Sequence, residues 1–148
     1  MANELIAVFG TTKTLEANGG SCANAAIVQA NDAAYAIVAD GASFLDADFA
    51  LMCQWATITS IENKTIDLYA RDLNFDGTAD AIAPTATFTH RYIGSFRISA
   101  VAANTNQYML VNARNVPKDA EYYLINSSGQ TISAGWTLKV TPRTVKPT

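Results

Sequence analysis

The stretch with the most chemical content is Asp72-Leu-Asn74-Phe-Asp76-Gly77-Thr-Ala-Asp80. Counted from Asp72, side-chain oxygens stand at positions 1, 3, 5 and 9 and a glycine at 6, as at the start of an EF-hand loop. A hard cation such as Ca2+ needs convergent oxygens of this kind, and the glycine permits the sharp turn. Position 12 is Ala83 where a bidentate Glu would be needed, and no helix is indicated on either side. The same residues suit a loop held by Asx-turns, with Asp76–Gly77 at a tight turn. Asp72, Asn74, Asp76 and Asp80 are thus the candidate ligands of a weak Ca2+ site, against a preferred reading as turn-formers. No other cofactor is implied.

Remaining residues give little support to catalysis. A hydrolytic triad needs a base beside its nucleophile, and the single histidine, His90, sits on an apolar strand face between Phe88 and Tyr92. It reads as a packed or interface histidine. Cys53 lies mid-strand near Trp55, with no helix N-terminus to lower its pKa, and reads as a buried inert thiol. Asp46 and Asp48 could serve glycoside hydrolysis, which uses two carboxylates, but nothing fixes their separation. Gly19–Gly20 has no following Lys and makes no phosphate loop. Arg71, Arg91, Arg97 and Arg114 are expected on solvent faces. Tyr69 and Tyr123 read as exposed aromatics that could stack on sugar rings or equally anchor a protein interface. The reading is non-enzymatic, with no catalytic residue.

At 148 residues the chain fits one domain. Charged residues make up 16%, below the ~25% usual in soluble domains; Ala, Thr, Asn and Ser fill the difference. Long charged side chains are depleted from interface cores, so this surface suits life against other protein. A net charge of −3 and a pI near 4.9 argue against nucleic acid, whose phosphates call for Lys and Arg. Apolar runs are broken every few residues, so no transmembrane helix is expected. MANELIAVFG has no basic residue ahead of its apolar run and does not read as a signal peptide. Without such a signal, Cys22 and Cys53 are expected as free thiols.

The elements that would position these residues are strands. Phe49, Leu51, Cys53 and Trp55 alternate with Ala50, Met52, Ala56 and Ile58, apolar on both faces, as in a strand buried between two layers. Ile66, Leu68 and Ala70 then alternate with Asp67, Tyr69 and Arg71. Ser60–Lys64 between them predicts a central hairpin. Before it, residues 4–9 predict a short strand, Thr11–Gly20 a polar connection and residues 34–39 a strand; Asp40–Asp48 reads as a loop. Ser21–Asp32 fits a short helix capped by Ser21 or a strand equally well. Afterwards, Phe88, His90, Tyr92, Gly94, Phe96 and Ile98 share one face of a long strand. Residues 107–112 predict another, and 121–126 with 130–141 a hairpin turning at Ser127–Gly129. Ile132, Ala134, Trp136, Leu138 and Val140 would point inward. The proline-bearing end, 142–148, predicts an extended arm outside a domain of residues 1–141. About eight turn-spaced strands make an all-β, two-sheet antiparallel β-sandwich of jelly-roll type, with a possible short N-terminal helix.

Several blocks resemble a family of small tailed-bacteriophage virion proteins: IDLYARDLNFDGTADAIAPT (66–85), HRYIGSF (90–96), the QYMLVN strand, AEYYLIN (120–126) and GQTISAGWTLKVTPRTVKP (129–147). The residues before the central stretch match less specifically. Relatives tend to carry Pro shortly after the DGT turn, where this chain has Ile82 and keeps Pro84. The blocks are strands and turns, with no active-site signature, so the resemblance implies a structural virion component. The expectation is a capsid decoration, or cement, protein assembled in the host cytoplasm and displayed on the virion. Its partners would be the major capsid protein and further copies of itself, with no nucleic acid and no membrane. A tail or neck component and a carbohydrate-binding jelly-roll module are the alternatives.

Overall fold

The structure, a computed structural model, describes residues 4–36, 44–74, 76–85, 87–89, 91–99 and 102–147. Ten strands follow in order: β1 (Leu5–Phe9), β2 (Lys13–Gly19), β3 (Ile27–Gln29), β4 (Tyr35–Ala36), β5 (Asp46–Cys53), β6 (Thr65–Asp72), β7 (Arg91–Arg97), β8 (Gln107–Ala113), β9 (Asp119–Ser127) and β10 (Trp136–Pro147). One sheet runs β1-β10-β5-β8 with β2 also on β10; the other runs β3-β9-β6-β7 with β4 also on β9. Every pairing is antiparallel. The two sheets pack face to face as a β-sandwich. No helix occurs among the described residues, so the helical alternative for Ser21–Asp32 is overturned in favour of β3. The strand expected over 34–39 is described only at Tyr35–Ala36; its remainder lies outside the described residues.

Consecutive strands mostly change sheet. Of the named strands, β6 and β7 alone follow each other and pair. The central hairpin expected at Ser60–Lys64 is instead a crossing from β5 in one sheet to β6 in the other, and Ser127–Gly129 likewise leads from β9 across to β10. The apolar faces of β5 and β6 therefore oppose one another across the core rather than lying side by side. With β1 and β2 counted as one position on β10, and β3 and β4 as one on β9, the sheets run 1-8-3-6 and 2-7-4-5.

The core follows the strand period. Phe49, Leu51, Cys53 and Trp55 from β5 and its extension meet Ile66, Leu68 and Ala70 from β6, all of them buried. Phe49 stacks at a tilt on Tyr122, ring centroids 4.9 Å apart. Each such fully buried large side chain contributes about 1.5–3 kcal/mol of transfer free energy. One end of the sandwich is plugged by polar groups that satisfy each other. Asn126 Nδ2 donates to the Cys22 and Gln130 carbonyls at 2.9 and 2.7 Å, and Trp55 Nε1 donates to Ser128 Oγ at 3.2 Å.

Four further expectations are corrected. Thr11–Gly20 is strand over Lys13–Gly19, polar in sequence because its buried Glu16 is occupied by the backbone amides of Asn18 and Asn31, each at 3.0 Å. Asp46 and Asp48 open β5 rather than sitting in a loop. The long strand from Phe88 is β7 alone. Its single face is broken where the pairing slips between Leu68 and Tyr69, leaving Ile93 as the extra residue of a bulge, so Tyr92 turns outward while Phe96 stays inward. In the last strand Ala134 is exposed, while Ile132, Trp136, Leu138 and Val140 are buried as expected.

Residues 142–147 are no free arm; they are the end of β10. Pro147 to Arg143 pair with Leu5 to Phe9, and Pro142 and Arg143 pair on the other side with Ala47 and Asp46. Pro142 is tolerated because β10 changes neighbour there, from β2 (last pair Val140–Lys13) to β1 (first pair Arg143–Phe9). N–H and C=O of one strand residue point the same way. The Pro142 carbonyl accepts from Gly10 N at 2.8 Å, so the missing N–H falls in that gap.

Candidate functional site

The loop 72–80 is built by its own side chains. Asp76 Oδ1 accepts from the backbone amides of Thr78 at 2.9 Å and Ala79 at 2.6 Å, which closes an Asx-turn around Gly77 at φ 97°. These bonds, that of Ala79 first, hold the Asp76 carboxyl below the usual carboxylate range. Asp80 Oδ1 accepts from Asn74 N at 3.1 Å, and Asp80 Oδ2 lies 3.8 Å from Arg71 Nη2. Asn74 Nδ2 reaches away, to Asp119 Oδ2 at 3.2 Å, and Asp72 accepts from Arg91 Nη1 at 3.2 Å. The four candidate ligands thus share a loop, but their hydrogen bonds run in different directions. Among the described residues no three of His, Cys, Asp and Glu form a metal-ligand group.

Other candidates fall elsewhere. Both cysteines are buried and free; burial raises both thiols, Cys53 to about 12, the wrong direction for a nucleophile at neutral pH. His90 lies outside the described residues. Asp48 accepts from Asn112 Nδ2 at 2.7 Å and faces Arg143 Nε at 3.4 Å, an ion pair whose geometry falls short of a hydrogen bond. Asp46 accepts from Asn115 N at 3.2 Å. Arg71 is drawn to Glu121 at 2.9 Å and Arg97 to Asn63 at 2.9 Å. Tyr123, expected to be exposed, is only 6% so, although it lines up in register with Tyr69 and Tyr92 across the outer face of the second sheet. Tyr92 is exposed, and its ring meets Tyr69 nearly edge-on at 5.5 Å.

Two surfaces stand out. The first is the outward face of the β1-β10-β5-β8 sheet. Ala50 and Met52 of β5, expected to be enclosed, line a groove of about 450 Å³ with Tyr108, Leu110, Thr137 and Lys139. Tyr108 and Leu110 are 79% and 62% exposed. Past the Asp48–Arg143 pair, Leu5, Phe9 and Val145 form a second exposed apolar group on the same sheet. In QYMLVN both alternating sets are apolar, and that was the available signal. The inner set, Met109 and Val111, took the core, leaving Tyr108 and Leu110 outside.

The second is a cleft of about 460 Å³ at the end of the sandwich opposite the polar plug, lined by Ala36, Asp72, Leu73, Asn74, Gly77, Arg91, Lys118 and Asp119. Arg91 stands opposite Ala70 at the start of β7 and also donates to the Asn115 carbonyl, tying the 114–118 turn to the sheet. Nothing in the sequence marked Lys118, Asp119 or Arg91 as neighbours of Asp72; the sheet register brings them together. Comparison with protein families, with curated proteins and with solved structures finds no match to this chain.

Proposed function

We propose that this chain is a non-enzymatic structural protein of a tailed-bacteriophage virion, a capsid decoration protein that binds the assembled shell through the outward face of its β1-β10-β5-β8 sheet. The observation that carries the reading is the exposure of Tyr108, Leu110, Leu5, Phe9 and Val145 on that sheet. Clustered exposed apolar side chains rimmed by polar residues mark a docking face, and here two such groups flank the Asp48–Arg143 pair. The low charged fraction and the resemblance of the 66–147 blocks to virion proteins point the same way. The partners would be the major capsid protein and neighbouring copies of this chain, met in the host cytoplasm and kept on the virion.

The mechanism is mass action. Copies that bind only the closed shell stabilise it over open subunits by RT ln(1 + [L]/Kd), ~2.7 kcal/mol per site at a hundredfold excess over Kd. Because residues 142–147 are held in β10, docking falls to the rigid sheet face, and no ordering of an arm opposes it. Cryo-EM of virions from the phage that encodes the chain tests the reading. Many copies seated on the shell by the Tyr108–Leu110 face are expected; density confined to tail or neck would overturn it.

A further inference from the structure

The cleft at the open end of the sandwich shares no lining residue with the apolar sheet face, so what it does is separable from shell binding. Its charged walls balance: Asp72 and Asp119 against Arg91 and Lys118. Asn74 adds an amide that both donates and accepts. Balanced in this way, the wall has no net preference for an anion or a cation, and it sets acceptors and donors within reach of one ligand. What it suits is a neutral molecule whose every polar group both donates and accepts, because each can bridge an acid and a base.

A second observation points to the same place. Tyr122 is 0% exposed, and among the described residues its hydroxyl meets no hydrogen-bonding group. Its direction follows from the register. Tyr122, Ala70 and Arg91 stand in one row across β9, β6 and β7, and Asp72 is the diagonal neighbour of Tyr122 on the same face. The small Ala70 leaves the ring free to reach along the row towards Arg91, and diagonal neighbours lie within reach of an aromatic side chain. Arg91, Asp72 and Asp119, all cleft residues, are the charges that act on the hydroxyl. A buried donor with no acceptor is costly, so a bound state that supplies the acceptor is favoured by it.

We propose that this cleft binds a neutral polyhydroxylated ligand, a saccharide unit, held by Asp72, Asn74, Asp119, Arg91 and Lys118, with Tyr122 as a positioning residue behind Asp72. Sugar hydroxyls that donate to Asp119 and accept from Lys118 bring a further hydroxyl against Arg91. Arg91 then shares its donors between ligand and Asp72, and the Asp72 carboxylate, held less tightly by Arg91, turns to accept a hydrogen bond from the Tyr122 hydroxyl. The phenol is bonded only in the occupied state, so its hydroxyl favours binding without contributing to folding. The cleft volume of about 460 Å³ is ample for one sugar ring and falls in the range of ligand pockets. Among the described residues no aromatic ring lines the cleft to cover a sugar face, which makes the site a weak one that gains from many copies side by side.

The test is an amide NMR titration of the isotope-labelled full chain with glucose, galactose, mannose and N-acetylglucosamine, free and as the terminal residue of an oligosaccharide. Sodium phosphate, sodium acetate and CaCl2 are the charged comparisons. Saturable shifts at Leu73, Asn74, Gly77, Arg91 and Asp119 with at least one sugar are expected. Equal response to the free and terminal forms identifies a monosaccharide site, and response to the terminal form alone a glycan-end site. Asp72→Asn and Lys118→Met should each weaken binding at least tenfold while the rest of the spectrum stays in place. Tyr122→Phe should weaken it several-fold without lowering the melting temperature. Absence of saturable shifts with every sugar, saturation by a charged comparison alone, or unchanged binding in the Asp72 and Lys118 variants would overturn the proposal. A clear drop in melting temperature on Tyr122→Phe would do so too, since it would show the hydroxyl already bonded in the free protein.

Discussion

Trp136 closes over Gly19: its indole Nε1–H donates to the Gly20 carbonyl at 2.7 Å, and a Cβ added to Gly19 would overlap the ring. The strand pairing sets Trp136 directly opposite Gly19. Glycine is required there by the approach of the ring rather than by its own backbone angles. Trp136→Ala should cost ~3–5 kcal/mol, and Gly19→Ala, by forcing the ring aside, ~1–3 kcal/mol. Urea unfolding of the two variants measures both. A Gly19→Ala protein as stable as the parent would show that the indole does not lie against that position.

Among the described residues the end of β10 is the sole strand partner of β1. A chain ending at Pro142 should therefore lose protection from hydrogen exchange at Leu5–Phe9 and leave Val8, which packs on the core, without its strand. The loss should exceed the ~1 kcal/mol typical of one substitution. A truncated protein that keeps both its midpoint in urea and slow exchange at Leu5–Phe9 would restore the picture of a dispensable arm.

Those two cases show what the sequence could and could not convey. Alternation found the inward set of β5, Phe49 to Trp55, and of β6, Ile66 to Ala70, because one buried face leaves a period of two. It could not tell a hairpin from a crossing. Ser60–Lys64 and Ser127–Gly129 carry the polar and glycine residues of any sharp reversal, and which sheet the next strand joins is decided by contacts far along the chain. Pro142 breaks the strand pattern in sequence, and only the pairing shows that β10 changes neighbour there. Tyr92 parts from the face of Gly94 and Phe96 because of a one-residue bulge at Ile93, which leaves no mark in the pattern. As for the sites, the 72–80 loop was legible as a set of oxygens, whereas the cleft needs Arg91, Lys118 and Asp119, which only pairing brings beside it. The apolar sheet face was legible in composition and misplaced in space.

The Asp76 turn makes a direct prediction about calcium. Its Oδ1 already accepts two backbone amides, so the parent should melt at the same temperature in EDTA and in millimolar Ca2+. Asp76→Ala should lower stability equally in both. Since the native carboxyl titrates below its unfolded value of ~3.9, the turn's contribution is present above that pH and is lost as pH falls through the native value. Asp76→Asn, which keeps the acceptor but not the charge, should flatten that acid limb. A calcium-dependent rise in the parent that vanishes in Asp76→Ala would instead establish a metal site.

Alkaline pH should unfold this protein through its core. An unfolded thiol titrates near ~8.5 and an unfolded phenol near ~10. Burial holds native Cys53 up to about 12 and also raises Cys22 and Tyr122. These are raised native values, so the native state keeps a proton that the unfolded chain has released. The associated stability is complete below pH ~8.5 and declines as pH rises towards the native value, by up to ~1.4 kcal/mol per pH unit for each group in transition. Urea midpoints followed from pH 8 to 11 should fall from about pH 8.5, and more steeply once Tyr122 joins above ~10. In a Cys22→Ala, Cys53→Ala double variant the first part of that decline should disappear and the second remain. An identical pH dependence with and without the thiols would mean that neither cysteine is buried as the fold places it. Slow labelling of both thiols by iodoacetamide at neutral pH, with full labelling in urea, is the independent check.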